Sequence, residues 1–297
     1  MAGKKNEKSR AEEIEREVRH GRHYRAYKLL LRPDRFQTAQ GFADYWKLAS
    51  GIAADLGIET EAGAGYSGHE QRAVSFWDTP TFDLYRIGFI LRRRRRVIDG
   101  FPAKEVEHTL KIRHPALETV CGADMKANTS SKCVVKFKEA ILQSPESPQG
   151  MKSVFSHNGV LKLKTLDLVS TIGELNGLFP VTQMAELPPQ TPIRRVNDLL
   201  IEEVAADLGQ MAFDRFIASA DVSVWRNRGT GEALAGEFSW QSRFKEELTS
   251  GKRRVGQDKA TEFYQALMRE TGDWLLRGTT KTRAVYEYGG RNVECQE

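Results

Sequence analysis

The chain has 297 residues, of which 40% are hydrophobic and 29% are charged, and its formal net charge is +5. This composition is typical of a soluble globular protein and excludes a disordered or collagen-like chain. The 3 cysteines show no CxxC spacing, so we expect neither a disulfide framework nor structural zinc, and a reducing cytoplasmic location follows. No signal-peptide core follows Met1, and no apolar run is long enough to cross a membrane.

Charge and turn signals along the chain indicate its domain organisation. Residues 1–22 are mostly charged or polar and predict a disordered tail. We expect a single domain at 23–290, which is long enough to bury a large core. Within it, the polar stretch at about 143–158 predicts a flexible insertion, and residues 291–297 form a short second tail.

The predicted elements alternate irregularly between strands and helices. Helical spacing of apolar residues predicts helices at 38–57, 166–178 and 258–276. Period-two or apolar runs predict strands at 24–31, 108–113, 133–138, 160–164, 199–206, 212–226, 233–241 and 281–288. A further predicted strand ends at Arg96. Because helices do not separate consecutive strands regularly, the sequence predicts an α+β protein built on a large antiparallel sheet or barrel.

A run of five arginines, Arg92 to Arg96, follows the apolar residues 87–91. Because side chains alternate along a strand, Arg92, Arg94 and Arg96 share one face, whereas Arg93 and Arg95 are predicted to point outward and to serve mainly solubility. Basic and apolar residues alternate in the same way at 109–113, 135–138 and 161–164.

These basic faces have two possible orientations. If they all turned inward, a closed barrel would enclose a cationic lumen, whose mutual repulsion implies a polyanionic ligand. Alternatively, the basic faces point to water, and alternation alone does not decide between the two.

Residues 77–80, Trp-Asp-Thr-Pro, followed by Leu91-Arg92-Arg93-Arg94, resemble the core motif of the CYTH family, the triphosphate tunnel metalloenzymes. Further segments resemble family motifs in the expected order, namely 109–111, 203–209, 235–241 and 281–286. The stretch that ends at residues 178–181 is similar to the bacterial inorganic triphosphatase branch. The resemblance therefore covers roughly residues 24–288.

The resemblance implies a closed antiparallel eight-stranded β-barrel with peripheral helices and a basic tunnel that binds a triphosphate. It implies that catalytic residues hold the phosphates, at Lys28, Arg92, Arg94, Lys111 and Arg113. It adds phosphate-binding residues at Lys136, Lys138, Lys281 and Arg283. It also implies Mg²⁺ or Mn²⁺, hard cations that prefer oxygen ligands, at Glu203, Asp207 and Glu237.

The first strand departs from the family pattern. Where the family carries E-x-E-x-K, this chain has Tyr24, Ala26 and Lys28, so that the lysine is present and both glutamates are absent. Ser239 and Gln241 also stand where acidic residues are usual. Fewer carboxylates in a basic cavity weaken the binding of a divalent metal and favour an anion without metal.

Two functions follow from these residues. One is a metal-dependent hydrolase of inorganic triphosphate or a nucleoside triphosphate. The alternative is a protein that binds a triphosphate, polyphosphate or other phosphorylated ligand without cleaving it, as a sensor or interaction module. We do not expect nucleic-acid binding, because no recognition module accompanies the arginine run.

Overall fold

The computed structural model describes residues 24–164, 169–214, 216–243 and 250–293. Its strands are β1 (Tyr24–Leu31), β2 (Glu59–Asp78), β3 (Phe89–Ile98), β4 (Phe101–His114), β5 (Cys133–Gln143), β6 (Met151–Leu163), β7 (Arg194–Arg195), β8 (Ile201–Phe213), β9 (Phe216–Asn227) and β10 (Ala233–Arg243). Its α-helices are α1 (Ala39–Asp55), α2 (Asp83–Arg86), α3 (Leu117–Cys121), α4 (Ile172–Leu178), α5 (Ser250–Glu270) and α6 (Lys281–Tyr286). Short 3₁₀ turns lie at Pro33–Phe36, Pro180–Ala185, Val196–Asp198 and Gly272–Trp274.

The strands form one sheet that returns to its own start. The order is β3-β4-β6-β5-β1-β10-β9-β8-β2, and β2 pairs again with β3, so nine strands close into a ring. The two-residue β7 adds to β2 outside this ring. No helix in the described part of the chain is both long enough and apolar enough to cross a membrane.

Helices cover the outer faces of the ring. On one side, the apolar residues of β1, β8, β9 and β10 pack against α1 and α5 through aromatic side chains such as Tyr45, Trp240 and Phe263. On the other side, β3 to β6 pack against α3 and α4. Burying one face of each strand under a helix is the ordinary way a sheet is stabilised.

The α+β class with peripheral helices is confirmed, but the strand count and pairing differ from the prediction. The prediction was eight antiparallel strands, whereas nine strands form the ring. β1 and β5 pair in parallel, with Tyr24 opposite Lys138 and Lys28 opposite Leu142. Parallel pairing needs a long crossover connection, and residues 32–132, which include α1 and the β2–β3–β4 meander, supply it.

The strand β2 was not predicted from the sequence, because its glycines and charges conceal the strand pattern. Gly63 of β2 and Gly209 of β8 are required where the two strands approach closely. A Cβ on Gly63 would lie 2.9 Å from the nitrogen of Gly209, and a Cβ on Gly209 would lie 2.0 Å from the oxygen of Glu61. Gly209 also has a φ of 143°, a conformation that glycine adopts without strain.

The predicted strand at 281–288 is wrong, because residues Lys281–Tyr286 form the helix α6. Thr280 caps its first turn by accepting a hydrogen bond from the backbone nitrogen of Arg283 at 3.1 Å. The side chain of Asn197 donates to the carbonyl oxygens of Val285 and Tyr286 at 2.8 and 3.1 Å. Capping at both ends therefore overrides the apparent alternation.

The boundaries of the predicted insertion and of two predicted helices differ from those in the structure. Met151–Leu163 form β6 within the ring, so a strand occupies the second half of the stretch predicted as a flexible insertion at 143–158. The predicted helix at 166–178 begins at Ile172, and the one at 258–276 lies within or just beyond α5. Of the two predicted tails, residues 1–22 and residues 294–297 lie outside the described residues.

Candidate functional site

The ring encloses a cavity of about 670 Å³. All nine ring strands line it, mostly with alternate residues, for example Arg92 and Arg94 on β3 and Lys111 and Arg113 on β4. Because side chains alternate between the faces of a strand, the outer faces remain free to pack under the helices. The basic faces of β3, β4 and β5 therefore turn inward, whereas Lys162 of the predicted basic face at 161–164 is 61% exposed and pairs with Glu105 at 3.3 Å outside the cavity.

Most of the residues that the resemblance implied meet in this cavity. The lining residues among them are Lys28, Arg92, Arg94, Lys111, Arg113, Lys136, Lys138, Lys281, Glu203, Asp207 and Glu237. Arg283 is not among them. Its Nε donates to Glu287 at 2.8 Å at the end of α6, because the helix turns residues 281 and 283 in different directions. A phosphate contact by Arg283 thus finds no support in its position.

The cavity has a basic half and an acidic half. The basic half is formed by β3, β4 and β5, whose inward cations are Arg92, Arg94, Lys111, Arg113, Lys136 and Lys138. Two carboxylates also line this half: Glu107, which lies 3.5 Å from Arg92 and 3.8 Å from Arg94, and Glu139, which pairs with Arg25. Between β4 and β5, β6 contributes the neutral side chains of Ser156, Asn158 and Val160. The acidic half is formed by β8, β9 and β10, which contribute Glu203, Asp207, Asp221 and Glu237.

Lys111 lies among cations in the basic half. Burial, together with the charges of Arg113 and Arg92, holds the pKa of Lys111 well below its usual range. No hydrogen bond or ion pair links its side chain to another described residue. Burial and the charge of Arg94 likewise lower the pKa of Arg92 to about 10. Repulsion between crowded cations of this kind is relieved when an anion binds between them, so anion binding is favourable.

Several buried polar atoms on this side also lack a hydrogen-bond partner among the described residues. They are Nε of Arg92, Nε of Arg94, Oγ1 of Thr109 and Oδ1 of Asn158. Thr109 is only 4% exposed and lies opposite Arg92 on the neighbouring strand. Three of the four atoms are donors, and phosphate oxygens are acceptors that would satisfy them.

Glu203 is the internal counter-ion of the cavity. Its side chain is 3% exposed and accepts hydrogen bonds from Nη1 of Arg72 and Nε1 of Trp225, both at 2.7 Å. Nε of Arg94 lies 3.6 Å away and Nζ of Lys281 lies 3.8 Å away. Burial opposes ionisation of Glu203, but these cations outweigh it and hold its pKa well below the usual range. Both carboxylate oxygens are therefore already committed to partners.

The other carboxylates differ from one another. Glu237 accepts a hydrogen bond from Nζ of Lys28 at 2.9 Å, and although burial opposes its ionisation, Lys28 and Lys281 lower its pKa to about 2. Burial and the nearby Glu237 raise the pKa of Asp221. Asp207 is exposed and accepts from the backbone nitrogen of Gly209 at 3.1 Å.

These positions do not fit a divalent-metal centre. Glu203 and Asp207 lie on β8, and Glu237 lies two strands away on β10. Within residues 24–293 as described, no group of three or more His, Cys, Asp or Glu side chains could hold a metal ion. Since Glu203 and Glu237 already neutralise Arg72 and Lys28, a metal would have to break those ion pairs. The predicted metal set stays a prediction that the geometry does not support.

Sequence reasoning missed Arg72, Asp221 and the surroundings of Arg93. Arg72 lies on the unpredicted β2. Asp221 alternates with Ser223 and Trp225 on β9, so the period-two pattern of that strand could have identified it. Arg93 does point outward, but it is 8% exposed and stacks over the ring of Trp77 at 3.5 Å. The expectation that Arg93 mainly serves solubility is therefore wrong, because its guanidinium is a packed cation–π partner.

No protein-family model matches the chain, and no curated protein matches its sequence. The fold is similar to the putative adenylyl cyclase HpAC1 from Hippeastrum, which is described as having a dominant triphosphatase activity, at 12% identity and a TM-score of 0.42 over 90% of this chain and 96% of that one. It is also similar to a putative adenylate cyclase from Bacillus halodurans, at 12% identity and a TM-score of 0.38 over 87% and 95% of the two chains. Likenesses at TM-scores this low carry no functional argument.

The role of Glu203 predicts a stability defect that anions relieve. Replacing Glu203→Gln removes the buried carboxylate that Arg72, Arg94 and Lys281 share, and we expect the free energy of unfolding to fall by about 3–5 kcal/mol. Sulfate should raise the free energy of unfolding of the variant by more than it raises that of the unmodified protein. The reason is that sulfate neutralises the cations that Glu203 otherwise balances. Urea titrations with and without sulfate measure both effects. Glu202→Gln, which removes the adjacent carboxylate outside the cavity, is the control and should change little.

Proposed function

We propose that this protein binds the phosphate chain of a triphosphate or polyphosphate inside its ring, without requiring a divalent metal. The observation that carries the proposal is Lys111, a half-buried lysine that lines the cavity among other cations and has no ion-pair partner among the described residues. Such a group costs free energy unless a ligand brings negative charge. The sequence resemblance to the CYTH family supports a triphosphate as that ligand.

The shape of the basic half favours an extended polyanion over a single small anion. Its cations come from three strands and continue along them, from Arg92 to Arg94 and from Lys136 to Lys138. Arginine binds phosphate oxygens in a bidentate manner and lysine binds them as a point charge. A chain of phosphates would therefore contact several of these side chains at once.

Metal-dependent hydrolysis is not proposed, because the carboxylates that remain are used to balance lysines and arginines. Glu203 and Glu237 are both ion-paired, and the first strand offers Ala26 to the cavity where the family has a glutamate. Binding without cleavage therefore fits the side chains better than the hydrolase hypothesis.

Inorganic triphosphate should stabilise the protein in the presence of EDTA. At a concentration of about 100 times Kd, the expected gain is roughly 2.7 kcal/mol, measured by thermal or urea unfolding. Incubation with Mg²⁺ or Mn²⁺ should release no phosphate above the buffer rate. Release that depends on metal and is abolished by Glu237→Gln would overturn the proposal in favour of a hydrolase, and absence of any stabilisation would show that triphosphate is not the ligand.

Substituting Lys111→Met should separate stability from binding. Because it replaces an unpaired, half-buried lysine crowded by other cations with an apolar side chain of similar length, the ligand-free protein should become more stable. Triphosphate affinity should fall roughly 10- to 100-fold, since a charge-assisted contact is lost. Urea unfolding and calorimetric titration measure the two effects. Lys104→Met, at an exposed position of β4, is the matched control; equal effects of both substitutions on affinity would contradict the assignment.

Anion binding should weaken as the pH rises through about 8. Burial and the charges of Lys28 and Lys136 lower the pKa of Lys138 to about 8, so this side chain loses its charge between pH 7 and pH 9. Sulfate is a suitable probe because it does not titrate in this range.

The contribution of Lys138 to the stability of the ligand-free protein has the opposite dependence on pH. Between the folded pKa and the unfolded value of 10.5, the unfolded chain binds more protons than the folded protein, so the free energy of unfolding rises with pH. Both slopes should diminish in Lys138→Met, and unchanged slopes would exclude Lys138 as their source.

A further inference from the structure

One end of the cavity is closed by an apolar floor. Phe76, Ile90 and Trp225 line the cavity and are 2–3% exposed. Beneath them, the same buried cluster includes Val285 and Tyr286 of α6. Thr280, Lys281 and Thr282, at the start of this helix, also line the cavity although they belong to no ring strand. A helix end thus fills the space between the strands at this end of the ring.

Along β3 and β8, exposure increases away from this floor. Along β3, Ile90 is 3% exposed, and the side chains of Arg92, Arg94 and Arg96 are 20%, 24% and 62% exposed. On β8, Glu203 is buried whereas Asp207 is exposed. Among the described residues, the cavity therefore has its mouth near Arg96 and Asp207 and its closed end near Ile90.

The floor carries a fixed cation. Nζ of Lys281 donates to Oγ of Ser223 at 2.7 Å and lies 4.3 Å from the centre of the Trp225 ring. Lys281 is 8% exposed, so its ammonium group is held at the bottom of the cavity.

The helix that carries Lys281 is itself held in place. The ring of Tyr286 stacks on Tyr85 at 3.8 Å, and Asn197 caps the carbonyl end of α6. Side chains so held form a preorganised contact for a ligand that reaches the floor.

We infer that the cavity recognises the end of a phosphate chain, with the terminal phosphate directed towards Lys281. This inference rests on the proposed binding of a phosphate chain. Because the floor blocks passage, a chain enters end-first and its remainder leaves through the mouth, past Arg94 and Arg96. A terminal phosphate carries more negative charge than an internal one, so the crowded cations near the floor favour it.

Two polyphosphates of equal, defined length test this inference, one with free ends and one with both ends amidated by a bulky amine. The free-ended chain should compete with triphosphate for the protein in calorimetry, and the blocked chain should not. Comparable competition by both chains would overturn end recognition while leaving phosphate binding intact. If neither chain nor triphosphate binds, the proposed function itself fails, so the two failures are distinguishable.

The stoichiometry of free-ended chains gives a second measurement. End recognition predicts no more than one protein per chain end, whatever the chain length. A number of bound proteins that rises with chain length, and that Lys111→Met abolishes, would show binding along the chain and would overturn the inference.

Lys281→Met tests the contact at the floor. The loss of this ammonium group should weaken triphosphate binding roughly tenfold, as expected for one charge-assisted contact, whereas Lys104→Met should leave binding unchanged. Unaltered triphosphate affinity in Lys281→Met, with near-UV circular dichroism showing an intact aromatic floor, would contradict the placement of the terminal phosphate.

Discussion

The structure depends on one constraint: a ring of strands whose inner face is charged must be stabilised from outside. Period-two alternation gives each strand a polar inner face and an apolar outer face. The outer faces of β1, β8, β9 and β10 pack against α1 and α5, and those of β3 to β6 pack against α3 and α4. Removing apolar surface from water on both outer sides supplies favourable folding free energy. This stabilisation offsets the cost of placing unpaired basic side chains such as Lys111 inside the ring.

The interior nevertheless balances part of its charge internally. Glu203 neutralises Arg72 and approaches Arg94 and Lys281, and Glu237 neutralises Lys28. In the basic half, Glu107 lies 3.5 Å from Arg92 and 3.8 Å from Arg94, but no carboxylate among the described residues pairs with Lys111. The basic half therefore remains under electrostatic stress that an anion relieves. Sites where local stability rules are violated are commonly functional sites.

Sequence patterns could predict those parts of the site that follow period two within a recognisable strand. Arg92 and Arg94 on β3 and Glu203 and Asp207 on β8 were placed on common faces by alternation alone, and they share the cavity. Arg72 could not be found, because the glycines and charges of β2, among them Gly63 at its close approach to β8, conceal the strand pattern. Ring closure and the parallel pairing of β1 with β5 depend on contacts between residues distant in sequence, which local patterns do not encode. The helix α6 was missed because residues 281–286 fit both periods, and the capping by Asn197 comes from elsewhere in the chain.

The absence of glutamates at positions 24 and 26 changes what the cavity can bind. A carboxylate at Ala26 would face the cavity beside Lys28 and would add negative charge near the basic half. Without it, the remaining carboxylates are needed as counter-ions, so a divalent cation competes with Lys28, Arg72 and Lys281 for the same oxygens. A phosphate chain meets less competition, because Lys111 has no ion-pair partner among the described residues, and Oγ1 of Thr109 and Nε of Arg92 accept or donate no hydrogen bond there. The side chains thus favour an anion over a metal, and the closed floor beneath Lys281 favours the end of a chain over its middle.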